Sequence, residues 1–190
     1  MLYAQVHLTL PAWTHDLQLE PSYPSDDDKM ALAIELSRLN VEHGTGGPFG
    51  AVVFDAHDRV VSVGVNRVVP QSCSVAHGEM MAYMTAQQRT QRFRLNRDEN
   101  DQPVGPITLA TSGQPCCQCY GATVWAGIDR LLIAARSNDV EELAGFDEGP
   151  LPANWVGELE NRGIEVVTDL QRDAAREVLQ QYRDTVGVVY

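Results

Sequence analysis

Apolar and polar positions change period several times along the chain, and each change marks an element. Met30, Ala33, Ile34, Leu36, Leu39 and Val41 form the apolar stripe of a helix that ends near His43-Gly44. Ahead of it, Ser25-Asp26-Asp27-Asp28 reads as the helix start. Ser25 serves as N-cap with an acid three residues on, and the Asp run suits the positive end of the helix dipole. Gly46-Gly47-Pro48-Phe49-Gly50 is a loop whose glycines permit close backbone approach, but it is no phosphate-binding fingerprint and no helix follows it. Ala51 to Phe54 and Arg59 to Val65 flank the turn-like Asp55-Ala56-His57-Asp58, which predicts a β-hairpin. A polar loop from Asn66 to Ser74 leads into a helical stretch from about Val75 to Phe93. Past the breakers Pro103 and Pro106, the pattern gives a strand at Ile107 to Thr111, a helix at Cys116 to Ala126 and a buried strand at Arg130 to Ala135. Gly145 to Asn154 is a loop, Ile164 to Thr168 a strand, and Leu170 to Arg183 an amphipathic helix. This order predicts an α/β fold: a mixed sheet, parallel in its later half, with helices on both faces. Residues 1–24, broken by Pro11, Pro21 and Pro24, read as an irregular N-terminal extension to a domain spanning 25–190.

Composition narrows the partners. The 190 residues suit one domain, with 14 basic and 26 acidic side chains and a formal net charge of −12. Phosphate backbones and anionic lipid surfaces both demand a basic face, so neither nucleic acid nor membrane is expected as a partner. A small neutral or cationic ligand fits better. Met1 to Leu10 carry no basic leader, and no apolar run approaches the roughly 20 residues that span a bilayer, so a cytoplasmic protein is expected. Three of the four cysteines, Cys116, Cys117 and Cys119, lie within four positions. That clustering favours metal or redox chemistry over a disulfide framework.

Two segments carry the chemistry. His77-Gly78-Glu79 opens one helix, and Pro115-Cys116-Cys117-Gln118-Cys119 opens another just after a strand. Cys116 and Cys119, three apart, point the same way from a first helical turn, where the helix N-terminus favours thiolates. His77 supplies a third ligand. Three protein ligands leave a fourth tetrahedral position open, the pattern of a catalytic zinc rather than a structural one. Glu79 need not be a ligand and stands where a carboxylate can shuttle protons. The combination is the zinc deaminase signature.

On these residues the chain resembles the cytidine deaminase-like superfamily, and within it the bacterial guanine deaminase group. The resemblance runs from about Met30 to the C-terminus. It includes residues 46–51, Asn66-Arg67-Val68, the two metal segments, Gly121-Ala122 with Trp125, and Gly145-Phe146-Asp147-Glu148. It implies a three-layer α/β/α sandwich around a five-stranded mixed sheet. His77, Cys116 and Cys119 would hold Zn2+, and Glu79 and Glu148 would be the catalytic carboxylates. Asn66 would bind the purine edge, with Phe49, His77 and Gly78 at the pocket. A homodimer with exchanged C-terminal segments is implied, in which Tyr190 would cover the partner's site. The implied reaction is hydrolytic deamination of guanine to xanthine and ammonia. Ammeline or another aminotriazine, guanosine and cytosine are alternative substrates, and a non-catalytic zinc module of the same fold is the alternative from another class. A tRNA substrate fits poorly with the charge. Trp125 is expected in the core, and Cys73 and Cys117 as spectators. Gly78 and Gln114 depart from the group's usual Ala and Glu, which bears on substrate identity more than on metal binding.

Overall fold

In the computed structural model, which describes all residues except Met1, Tyr3, Val186 and Tyr190, the Ser25 hydroxyl accepts the Asp28 N–H at 3.0 Å and starts helix α1, Asp26–Glu42. Strands β1 (Gly50–Phe54) and β2 (Val60–Val65) form the hairpin, with a register shift between Val53 and Phe54. A single helical turn α2 (Val68–Gln71) precedes α3 (Gly78–Thr90). Then come β3 (Thr108–Gly113), α4 (Cys117–Ala126), β4 (Arg130–Ala135), α5 (Ser137–Ala144), α6 (Trp155–Glu160), β5 (Glu165–Val167) and α7 (Arg172–Thr185). The sheet has five strands in the order β2-β1-β3-β4-β5. β1 pairs antiparallel with β2 and β3, whereas β3, β4 and β5 run parallel. The mixed sheet, parallel in its later half, is the one the sequence predicts.

Alternation along the strands divides the core into two. Val52, Phe54, Ala110 and Leu132 face α1, α5 and α7, where they meet Met30, Val140 and Leu179. Ala51, Val53, Leu109 and Leu131 face α3, α4 and α6, where they meet Ala82, Ala126 and Leu159. Each such Val, Leu, Ile or Phe stabilises the fold by about 1.5–3 kcal/mol when fully buried. β1 is buried along its whole length, as a central strand between two helical layers must be.

Local signals fell short in three places. The loop expected at 66–74 contains α2, residues 137–144 form α5, and α6 breaks the stretch after Asn154. All three are too short for a helical period to declare itself. Trp125, expected in the core, is instead 79% exposed. Among the described residues, no helix is long and apolar enough to cross a membrane.

Two buried charges tie distant parts of the chain. Lys29 is 1% exposed, with its Nζ 2.9 Å from Asp58 Oδ1 in the hairpin turn and 5.8 Å from the Phe54 ring centroid. Asp139 of α5 accepts from Arg172 Nε at 2.7 Å and Nη2 at 2.8 Å, and also from Arg176, fastening α5 to α7.

Candidate active site

The site lies where β3 and β4 end and the N-termini of α3 and α4 converge. Parallel strands deliver such crevices at their carboxyl ends. His77 is the N-cap residue of α3 and Cys116 that of α4, so each stands on extended backbone before its helix begins. Pro115 precedes Cys116 where no helical N–H is needed. The ligand atoms of His77, Cys116 and Cys119 all lie within 4.8 Å of one another, with Cys116 Sγ 3.5 Å from His77 Nδ1. Two sulfurs and one imidazole are the donor set zinc prefers, and a tight triangle leaves one tetrahedral direction open. The three residues therefore fit the metal. The backbone of Ser74 engages the His77 ring as well, the type of contact that fixes a ligating imidazole.

The electrostatics favour charge separation. Hydrogen bonding to Cys119 draws the Cys116 thiol down to about 4, against the effect of burial. The same bond, with burial, pushes Cys119 up. Burial works against a charged His77, but Cys116 and Glu79 raise it overall. Glu79 is buried; its Oε1 lies 3.2 Å from Thr111 Oγ1, and its Oε2 accepts from Cys119 Sγ at 3.4 Å. Desolvation, then the neighbouring Cys116, pushes its carboxyl above the ordinary range, with His77 opposing. A carboxyl so held takes up a proton more readily than a free one, as a group that accepts a proton from water requires.

His77, Glu79 and Cys116 open into a cavity of about 250 Å3. Its wall also includes Phe49, Gln114, Cys117, Gln118 and residues 146–149. Phe49 meets Phe146 edge-on, ring centroids 5.2 Å apart. Glu148 is 7% exposed, and its backbone oxygen accepts the Cys117 N–H at 3.0 Å, which locks the 145–149 loop to the start of α4. Burial raises the Glu148 carboxyl to about 9, aided by Cys116 and Glu79.

Asn66 stands beside this cavity, not in its wall. It is 1% exposed and donates its backbone N–H to the Phe49 carbonyl at 3.0 Å. Its Oδ1 accepts from Val68 N at 3.2 Å and Gly47 N at 3.4 Å, while its Nδ2 has no partner among the described residues. Gly78 also lies off the cavity: a Cβ there would meet the Phe49 carbonyl oxygen at 3.3 Å, so the missing methyl faces backbone. Gln114 does line the cavity, and its Oε1 accepts the Ser137 N–H at 3.3 Å. Cys117, expected as a spectator, is exposed in the cavity wall. Tyr190 lies outside the described residues. Sequence reasoning missed Thr111, Phe146 and Gln118. Phe146 and Gln118 lie inside segments already singled out but were given no role there, whereas Thr111 has no local signal: only the register of β3 beneath α3 brings it to Glu79.

Comparison with known proteins agrees with this geometry. Guanine deaminase from Bacillus subtilis (strain 168) is 33% identical over 116 residues, 61% of this chain and 67% of that protein. The solved guanine deaminase from Nitrosomonas europaea matches with a TM-score of 0.88 at 40% identity, over 97% of this chain and 99% of that one. A mutant structure in complex with 8-azaguanine gives a TM-score of 0.88 at 40% identity, over 97% and 98% of the two chains. The model for the cytidine and deoxycytidylate deaminase zinc-binding region matches residues 24–135, which contain all three metal-site residues and Glu79. The chain belongs to the cytidine and deoxycytidylate deaminase family.

Proposed function

We propose that this zinc-dependent aminohydrolase converts guanine and water to xanthine and ammonia. The observation that carries the reading is the pair of buried carboxyls, Glu79 and Glu148, lining one small cavity beside the His77-Cys116-Cys119 triangle. The cavity falls just below the roughly 300–1,000 Å3 of drug-sized pockets, which suits a free base better than a nucleoside or a nucleotide in a strand. Similarity to a structure holding 8-azaguanine supports a purine.

His77, Cys116 and Cys119 would hold the zinc, which when bound polarises water and lowers its pKa towards about 7. Glu79 takes the proton of the attacking water and passes it to the ring nitrogen next to the amino-bearing carbon. Glu79 then takes the remaining hydroxyl proton of the adduct and delivers it to the amino group, so the carbon–nitrogen bond breaks, the new carbonyl forms and ammonia leaves. Glu148, largely protonated at neutral pH, faces the amino group or the ring nitrogen on its other side. That carbon lies between two ring nitrogens, so two carboxyls have work to do. Asn66 offers its unpartnered Nδ2 to an acceptor on the purine edge, and Phe49 offers an aromatic edge to the ring. We include in this reading the pairing of two copies, supported by the exposed Phe93 and Trp125, with Met80 and Met84 lining the same groove.

Ammonia release across guanine, guanosine, cytosine and aminotriazines tests the substrate, with guanine turned over best. Glu79→Gln should keep zinc and lose at least about 100-fold in kcat, the usual share of a positioned acid–base group. Near-native turnover by that variant would overturn the mechanism.

A further inference from the structure

A chain of hydrogen bonds runs from the N-terminal segment to Asn66. Trp13 Nε1 donates to Thr45 Oγ1 at 3.0 Å, and Thr45 Oγ1 donates to Asn40 Oδ1 at 2.7 Å. Asn40 spends both amide hydrogens on backbone, one on Gly47 O at 2.8 Å and one on Asn66 O at 3.0 Å. Gly47 N closes the loop by donating to Asn66 Oδ1 at 3.4 Å. Asn40 is fully buried and Asn66 nearly so, so their own polar groups have no water as a substitute partner, whereas Trp13 and Thr45 are part-buried. The geometry leaves no slack: a Cβ at Gly46 would lie 1.8 Å from the Asn66 carbonyl oxygen. Arg67 adds a parallel tie, donating to Thr9 O at 3.1 Å and to Thr45 O. Trp13 is itself held by stacking on His43, centroids 5.5 Å apart at 15°.

The network has one open end. Every amide hydrogen-bonding atom of Asn40 is used, and Asn66 Oδ1 is used twice, so within this network of described residues Asn66 Nδ2 is the amide group left unpartnered. Fixing Oδ1 on two backbone donors fixes where Nδ2 points.

We propose that Trp13, Thr45 and Asn40 are positioning residues that hold the Asn66 amide in its substrate-ready orientation, so the segment before α1 sets base affinity although it lies outside the matched deaminase region, 24–135. This rests on the reading of Asn66 as a purine contact. None of the three touches the reacting atoms. Their effect belongs on KM, since a loosened Asn66 costs binding while the metal site and Glu79 stay in place.

The test is steady-state kinetics on guanine with Thr45→Val, Thr45→Ser and Trp13→Phe, alone and combined with Asn66→Ala, beside zinc content and Tm for each. Thr45→Val should raise KM about three- to tenfold, the effect of one hydrogen bond, with a smaller change in kcat and full zinc. Thr45→Ser, which keeps the hydroxyl, should restore KM, and Trp13→Phe should shift KM in the same direction by less. In the Asn66→Ala background Thr45→Val should leave KM unchanged, because residues acting through one group are not additive. A full KM increase in that background overturns the proposal, as does a Thr45→Val variant with native KM beside an Asn66→Ala variant with a raised one. An Asn66→Ala variant with native KM removes the reading of Asn66, and the proposal with it.

Discussion

A carboxyl group buried with no cation beside it favours its neutral form, and Glu148 is in that position. Among the described residues no basic side chain pairs with it, and burial raises it to about 9 from an ordinary 4.5. The folded chain therefore binds this proton more tightly than the unfolded chain. Below about pH 4.5 both states are protonated and burial costs nothing by ionisation; as pH rises from 4.5 towards 9, the unfolded chain ionises freely and stability falls. Glu148→Gln replaces the acid by a neutral isostere and should remove that slope. Thermal unfolding should show the variant gaining Tm over the native chain between pH 5 and pH 9, and a constant difference would show that Glu148 is not the titrating group. Residues of this kind differ in how visible they are in a sequence. His77, Glu79, Cys116 and Cys119 were legible because each pair sits within one helical turn. Glu148 was legible only by resemblance, because its burial depends on the 145–149 loop folding over the start of α4. Trp125 was misread because a helix of ten residues shows which positions share a face but not which face meets the sheet.

At the scale of elements, α5 illustrates what periodicity leaves out. Eight residues give little more than two turns, and the helix is held by its buried Val140 and Ala144 and by Asp139. Hydrogen bonding to Arg172, opposed by burial and helped by the Arg136 N–H, draws this carboxyl down to about 2. A lowered value means stability that is present above the ordinary 3.8 and is lost as pH falls through 2. Asp139→Asn should cost about 2 kcal/mol in urea unfolding at neutral pH, since the arginines are partly exposed and the bonds are charge-assisted. The cost should shrink as pH falls from 3.8 towards 2. A pH-independent cost would mean that shape and not charge joins α5 to α7. The elements legible in advance were those with strong local chemistry: the capped α1, the hairpin with its Asp55-centred turn, and the amphipathic α7. A fastening such as Asp139 to Arg172, 33 positions apart, is invisible until the sheet brings its ends together.

For the molecule as a whole, two apolar cores share one sheet, and α3 and α4 meet at their N-termini through the metal-site residues. A bound metal would bridge those termini and stabilise the native state by its affinity. Removing it with a strong chelator should lower Tm, and added zinc should restore it; an unchanged Tm would mean that packing alone sets the junction. Sealed into the other side of the sheet is Lys29, the only lysine of the chain. Every other basic side chain apart from histidine is an arginine. An amine-directed reagent therefore finds no accessible side-chain amine on the folded protein: a cross-linker that must span two lysines has nothing to span, and acylation of Lys29 requires α1 to part from the hairpin turn. The same reagents that are silent on the native molecule become a clock for its opening, each labelled lysine marking one excursion in which the Lys29–Asp58 pair let go.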